Sequence, residues 1–349
     1  MSVPSPKGRA PSIRDVARLA GVSHQTVSRV LNNHPSIRAS TKARVMQVME
    51  EMHYRPNRAA RALVTRHSRT IGVLSAAGAQ YGPSNSIAAI EDAAKAAGYY
   101  VNTANLAAAD PESIAAALRH LMEQEIEGLV VIAPQVRVFD ALARMSIDVP
   151  YVSLQSSPDA EHRALSVDQI TGARLATRHL IQLGHREIIH LAGPQDWIEA
   201  EARMRGFLDE IDQAELGTLP PILGDWTAEF GYYAGRELLR SREFTAVFAA
   251  NDHMALGLMH AFREGGREVP RDISVVGFDD IPDARHFWPP LTTVRQDYGE
   301  IGRRAVALLL GEVRGVAVAA DDQIQARLVT RDSTAPLPAN PRASLSKRY

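Results

Sequence analysis

The sequence predicts an α/β protein: an N-terminal helix-turn-helix head joined to a two-subdomain body of doubly wound parallel sheets. Three observations carry this. Residues 12–31 read as two short amphipathic helices broken at Gly21-Val22-Ser23. From Thr70 onward, short β-branched runs alternate with amphipathic helices, the pattern of a parallel sheet covered on both faces. Those runs are too many for one mononucleotide-type sheet, so two are needed.

The head follows from its caps. Ser12 is a good N-cap, and Asp15 three residues on completes a capping-box-like start. Val16, Leu19 and Ala20 fall at helical spacing and form one apolar face. Gly21 ends the helix, because a left-handed backbone costs least without a Cβ. Ser23 caps the next helix, which carries Val27, Val30 and Leu31 inward. His24, Gln25, Ser28 and Arg29 are left on the other face, where amide, hydroxyl and guanidinium groups can read base edges in a major groove. A plain helical hairpin with a solvated polar face would look much the same. The third helix, 41–52, has Val45, Val48, Met49 and Met52 at core spacing. Tyr54-Arg55-Pro56 breaks the chain. Asn57 then caps a segment, 58–64, too short to be a stable helix alone, which should order only when something packs on it.

In the body the expected strands are 71–74, 100–102, 129–132, 151–154, 188–191, 246–249 and 273–276. The expected helices are 86–97, 111–124, 168–183, 199–212, 228–241, 252–264 and 297–311, with Gly98, Gly184, Gly265 and Gly266 at their stops. In such sheets ligands bind beyond the carboxyl ends of the strands. No phosphate loop, G-x-G-x-x-G after a strand, H-E-x-x-H or nucleophile elbow occurs, and no internal repeat stands out.

Composition narrows the classes. The 349 residues are 45% hydrophobic and 23% charged, ordinary for a soluble globular protein. There is no cysteine, so disulfide and thiol chemistry are excluded. Residues 1–11 are polar and proline-bearing, expected to be a disordered tail rather than a signal peptide, and no apolar run is long enough to span a bilayer. The expectation is a cytoplasmic protein with no membrane contact. Charge is uneven: residues 1–69 hold 13 Lys/Arg against 3 Asp/Glu, while the whole chain carries a net −1. A basic head on an acidic body suggests a polyanion-binding module joined to one that does not bind polyanions.

Several polar residues follow strands directly. Asn251-Asp252 follows 247–250 and Asp279-Asp280 follows 273–278. Arg203 lies in the helix after 191–194, Trp226 in Gly224-Asp225-Trp226-Thr227, and Gln296-Asp297-Tyr298 after Thr292-Thr293-Val294. Carboxylates, amides and one arginine around an indole suit a polyhydroxylated ligand, whose hydroxyls need donors and acceptors and whose apolar face needs an aromatic platform. Other uses compete. Asp279 and Asp280 could form a glycosidase pair, but neighbours in sequence point different ways. Asn251-Asp252-His253 could ligate a metal, but no second ligand pair has matching spacing, and helix capping by Asp252 is the better use. Trp226 could simply be core.

The run Asp15-Val16-Ala17…Ala20-Gly21-Val22-Ser23…Thr26-Val27-Ser28-Arg29-Val30-Leu31-Asn32 resembles the helix-turn-helix of the lactose/galactose repressor family. Tyr54-Arg55-Pro56-Asn57-Arg58-Ala59-Ala60…Leu63 is similar to its hinge. Residues 250–257, 272–280 and 289–297 look like family motifs too, so the likeness spans roughly 12–333 and is close to the lactose-binding members. It implies a periplasmic-binding-protein-like body and DNA contacts from Ser23, His24, Gln25, Thr26, Ser28, Arg29, Asn32, Asn57 and Ala60, with Leu63 wedged into the minor groove. In sugar-binding members, Arg203, Asn251 and Asp279 match positions that hold ligand hydroxyls. Trp226 matches a pocket tryptophan, Gln296 and Tyr298 match crossover residues facing it, and Pro83 and Ser84 match the near wall. Gln155 stands where a lactose-binding member has an aspartate, Ile132 where it has an asparagine, Ser86 replaces an aliphatic residue and His24 an aromatic one.

The domains expected are a tail at 1–11, the DNA-binding head at 12–56, the hinge and linker at 57–69, and the effector-binding and dimerisation body at 70–333. Within the body, one subdomain takes 70–166 plus 297–326 and the other 167–296 plus 327–333; 334–349 is a flexible, proline-bearing tail without the heptad of tetrameric relatives. The function implied is a repressor, not an enzyme, without cofactor or metal, that binds a palindromic operator as a homodimer and is released by a small carbohydrate, galactosides first. A purine or nucleoside corepressor is the alternative effector, and a sugar solute-binding protein or a sugar-processing enzyme the alternative class.

Overall fold

In the computed structural model, which describes residues 11–31, 34–55, 67–76, 80–106, 108–133, 135–142, 144–145, 147–154, 164–217, 219–241, 244–318 and 323–337, the chain forms two units, Met1–Ser68 and Arg69–Tyr349. In the first unit, Ser12 and Asp15 form the expected capping box. The Ser12 hydroxyl accepts from the Asp15 N–H at 3.4 Å, and the Asp15 carboxylate accepts from the Ser12 N–H at 3.0 Å. This opens α1 (Ile13–Leu19). Gly21 takes φ +62°, and the Ser23 hydroxyl accepts from the Thr26 N–H at 3.1 Å to start α2 (His24–Leu31). With α3 (Ala39–Glu51), these helices bury Val16, Ala17, Ala20, Val27, Val30, Val45 and Met49. Leu19, expected inward, is 48% exposed and Ala17 takes its place. The face formed by 13, 16, 17 and 20 is centred roughly 110° around the helix from Leu19.

The body begins with β1 (Thr70–Ser75), α4 (Tyr81–Ala96), β2 (Tyr100–Asn105), α5 (Pro111–Glu123), β3 (Gly128–Ile132), α6 (Val136–Leu142) and β4 (Tyr151–Ser153). Its strands form an all-parallel sheet in the order β2-β1-β3-β4. The chain then crosses through β5 (Ser166–Val167) into α7 (Gln169–Gln182), β6 (Ile188–Ala192), α8 (Ile198–Gln213), β7 (Ile222–Leu223), α9 (Ala228–Ser241), β8 (Ala246–Ala249), α10 (Asp252–Glu264), β9 (Ser274–Asp279) and β10 (Thr292–Arg295). After β10, α11 (Tyr298–Arg314) packs back on α4, β3 and β4. β11 (Gln323–Ile324) pairs with β5, and β12 (Arg327–Val329) returns antiparallel to β10. The second sheet therefore runs β12-β10-β9-β8-β6-β7.

β3, β6 and β8 are buried throughout, as strands covered on both faces must be. Among the expected helix stops, Gly98, Gly184 and Gly266 are left-handed, while Gly265 keeps φ −77° as the cap residue before Gly266. The tail expected to be free from 334 is held as far as Leu337. Its N–H donates to the Leu183 carbonyl at 2.8 Å, Ala335 N–H donates to Ser274 Oγ at 3.1 Å, and Thr334 Oγ1 meets His179 Nε2 at 2.9 Å. Among the described residues, no helix is long and apolar enough to cross a membrane.

Candidate functional site

The parallel strands of both sheets turn their carboxyl ends toward one cavity of about 450 Å³ between the two halves of the body. The first half contributes Tyr81, Pro83 and Ser86 from α4 and Ile132 from the end of β3. The second contributes Arg203 from α8, Trp226, Asn251 and Asp279. The crossings add Gln169, Gln296 and Tyr298.

Four of these side chains close a ring of polar contacts. Arg203 Nε donates to Gln169 Oε1 at 2.9 Å, and Gln169 Nε2 donates to Gln296 Oε1 at 2.9 Å. Gln296 Nε2 donates to Asp279 Oδ1 at 2.7 Å and to the Tyr298 hydroxyl at 2.9 Å. Arg203 Nη2 lies 3.5 Å from the same Asp279 oxygen. The guanidinium also donates to the Ala250 carbonyl and lies 3.9 Å from the centre of the Phe278 ring, a flat apolar seat that suits a planar cation. Arg203, Gln169, Asp279 and Gln296 are all buried. Burial pushes the Asp279 carboxyl up to about 6, with Arg203 and then Gln296 opposing the rise. Burial, then the Asp279 charge, holds the Tyr298 hydroxyl well above its usual value.

Trp226 forms the apolar wall. It is buried at φ +72°, its carbonyl accepts from Asn251 Nδ2 at 3.0 Å, and its ring meets that of Trp197 edge-to-face at 5.5 Å. Its indole N–H is buried and meets no acceptor among the described residues. A buried donor left this way is costly, and a ligand oxygen would satisfy it. The indole lies over Gly193, where a Cβ would come within 2.2 Å of the ring. Gly193→Ala should therefore displace Trp226, lowering the melting temperature by several degrees and shifting tryptophan fluorescence; an unchanged melt and spectrum would contradict this placement.

The neighbouring acids have other work. Asn251, not Asp252, caps α10: its Oδ1 accepts from the Met254 N–H at 2.9 Å. The expected cap Asp252 is fully buried at the first helical position instead. Its carboxylate accepts from the Ile281 N–H at 2.8 Å and the Thr293 hydroxyl at 2.5 Å. Burial, then the Asp279 charge, raises its pKa well above the usual carboxylate range. Asp280 does not face the cavity, being held by Arg295 at 2.5 Å and Arg331 at 2.6 Å, so the two adjacent aspartates do not form a catalytic pair across a substrate.

Of the expected cleft residues, Pro83, Arg203, Trp226, Asn251, Asp279, Gln296 and Tyr298 line this cavity together. Ser84 does not: it is exposed, and Ser86 takes the near wall, donating its hydroxyl to the Gly82 carbonyl at 3.0 Å. The helix starts at Tyr81 rather than near 86, so 83 and 86 share the face toward the cavity while 84 turns away. Gln155 lies outside the described residues. Sequence reasoning missed Tyr81, Gln169, Trp197, Glu199 and His253 as cavity-lining groups. Trp197 and Glu199 follow the carboxyl end of β6, the position that marks ligand contacts in such sheets. In the head, His24, Gln25 and Arg29 are exposed on α2, Thr26 and Ser28 are half-buried, and Ser23 is exposed at its cap. Asn32, Asn57, Ala60 and Leu63 lie outside the described residues.

The family profile described as bacterial regulatory proteins, lacI family, matches residues 12–57, and that of a periplasmic binding protein-like domain matches 177–334. The lactose operon repressor of Escherichia coli (strain K12) is 36% identical over 326 residues, 93% of this chain and 90% of that protein. A lac repressor dimer bound to operator and the anti-inducer ONPF superposes with a TM-score of 0.85 at 34% identity, covering 94% of this chain and all of that one. A complex of the transcriptional regulator CelR with cellobiose superposes with a TM-score of 0.68 at 28% identity, covering 93% and 99%.

Proposed function

Because the chain belongs to the lacI family of bacterial regulatory proteins, we propose that it is a transcriptional repressor that binds a palindromic operator as a dimer and releases it when a small carbohydrate fills the cleft. The observation that carries the effector class is the closed ring of Arg203, Gln169, Gln296 and Asp279 beside an indole wall. Donors and acceptors alternate around it, as vicinal hydroxyls require, and Trp226 offers an apolar face to a pyranose. Relatives bound to operator or to cellobiose support the same assignment. A thermal-shift screen of mono- and disaccharides tests it, since a ligand in excess stabilises the folded state. If purines and nucleosides raise the melting temperature and no saccharide does, the effector class is wrong.

Coupling runs through the two halves of the body. A sugar that favours one arrangement of the halves changes the spacing of the two hinges in the dimer. It can do so only through its difference in affinity for the two arrangements. Galactosides are the first candidates.

Base readout falls to Gln25 and Arg29, with His24 as a modulator on the same exposed face. A bidentate side-chain contact is worth roughly 1–3 kcal/mol of discrimination. Gln25→Ala should relax sequence preference, measured as the ratio of operator to random-DNA affinity, more than it weakens non-specific binding. Equal losses on both DNAs would contradict the assignment.

Sugar affinity should also depend on pH. Asp279 accepts a ligand hydroxyl best when ionised, yet its carboxyl holds a proton up to about 6 instead of the usual 3.8. Affinity should be flat above pH 7 and weaken as pH falls through 6, approaching about tenfold per unit. For stability alone the sign is opposite. The folded state binds the extra proton between the two values, so this group makes stability fall as pH rises through that window. Calorimetry from pH 5 to 8 checks the binding arm, and Asp279→Asn should flatten it.

A further inference from the structure

The cleft carries groups that the polar ring does not use. Trp197 stands immediately before α8, half-buried, with its ring edge-to-face on Trp226 at 67° between planes. Glu199, in the first turn of α8, lines the same cavity, and its charge reaches the Tyr298 hydroxyl. On the other half, Tyr81 and Tyr298 form a second edge-to-face pair at 5.7 Å. Trp226, nine-tenths buried, neighbours both Arg203 and Trp197, and its indole N–H meets no acceptor among the described residues. A cavity of about 450 Å³ is more than one pyranose ring fills.

Charge restricts what completes the filling. Among the described residues, the lining holds the carboxylates of Asp279, Glu199 and Asp225 against the one guanidinium of Arg203, with His253 beside them. An anionic sugar would bring another like charge into a site of low dielectric.

We propose that Trp197 and Glu199 build a second sugar subsite, so that the effector is a neutral disaccharide. This rests on the carbohydrate reading of the cleft. One ring is held by Arg203, Gln169, Gln296 and Asp279. The second lies on Trp197 and donates a hydroxyl to the Glu199 carboxylate. The Trp226 N–H donates to an oxygen between them. The main chain of Trp197 pairs with Gln135 as an isolated bridge, so replacing its side chain leaves that link in place.

The test is calorimetry on the full chain with methyl β-galactopyranoside, methyl β-glucopyranoside, lactose, cellobiose and methyl β-glucuronide. The wild type should bind one of the two disaccharides at least about tenfold tighter than the methyl glycoside of its non-reducing ring, and should not bind the glucuronide. Trp197→Ala should erase that margin, weakening the disaccharide at least about tenfold more than the monosaccharide, while Trp197→Phe should keep most of it. Glu199→Gln should weaken the disaccharide more than the monosaccharide. Equal binding of mono- and disaccharide by wild type overturns the subsite. So does a Trp197→Ala variant that weakens both alike, since Trp197 would then merely prop Trp226. If no saccharide binds wild type at all, the carbohydrate reading falls and takes the subsite with it.

Discussion

Arg203→Ala should abolish the response to saccharide and leave operator affinity as it is. The guanidinium is buried, donates to Gln169 and to the Ala250 carbonyl, lies against Asp279 and stacks on Phe278. Truncating it removes the donor to the Gln169 amide oxygen and leaves the Asp279 carboxylate with the Gln296 amide and no countercharge. The sugar loses a charged donor, and a hydrogen bond to a charged group is worth roughly 1.5–3 kcal/mol, about ten- to over a hundredfold in affinity. Lysine should not rescue it, because a single ammonium cannot make the forked contacts or the flat stack on Phe278. Saccharide affinity by calorimetry and DNA affinity by fluorescence anisotropy check the two halves of this expectation. A variant that still binds sugar as wild type does would remove Arg203 from the site.

Asp252→Ala should lose stability and sugar affinity together, although its carboxylate does not line the cavity. Its two oxygens take the Ile281 N–H and the Thr293 hydroxyl, both buried. Leaving a buried donor unmet costs about 1–3 kcal/mol each. The loop it clamps holds two consecutive left-handed residues, Asp279 at φ +110° and Asp280 at φ +51°. Non-glycine residues keep such angles only when their surroundings enforce them. Without the clamp the backbone relaxes and carries the Asp279 carboxylate away from Gln296 and Arg203. A fall of at least about 5 °C in melting temperature should accompany the weaker binding. Asp252→Asn, which keeps one acceptor, should fall between. A variant with wild-type melting and wild-type affinity would contradict the clamp.

The sequence made the helical head and the alternation of the body readable because their signals are local. Ser12, Asp15 and Gly21 act within one turn, and β3, β6 and β8 are apolar enough to mark strands buried on both faces. β5, β7 and β11 escaped because two residues are too few to show a period, and β10 and β12 escaped as well. α6, at seven residues, escaped for a related reason. The cleft was readable where a polar residue ends a strand, as at Asn251 and Asp279. It was not readable where helix phase decides, as between Ser84 and Ser86, or where one side chain's partner is far along the chain. Gln169 is 127 residues from Gln296, and only the crossings between halves bring them together. Sequence alone does not separate Asp252 as the cap from Asn251, which forms the cap one position earlier.

The proposed repressor couples its sugar cleft to sequence-specific DNA binding. The most direct measurement is fluorescence anisotropy of the full chain on a palindromic operator selected from random DNA, titrated with a saccharide shown by calorimetry to bind. The expected result is tight, salt-sensitive binding to the palindrome that weakens at least about tenfold when the sugar is saturating. Operator affinity unchanged by a sugar that demonstrably occupies the protein would contradict it.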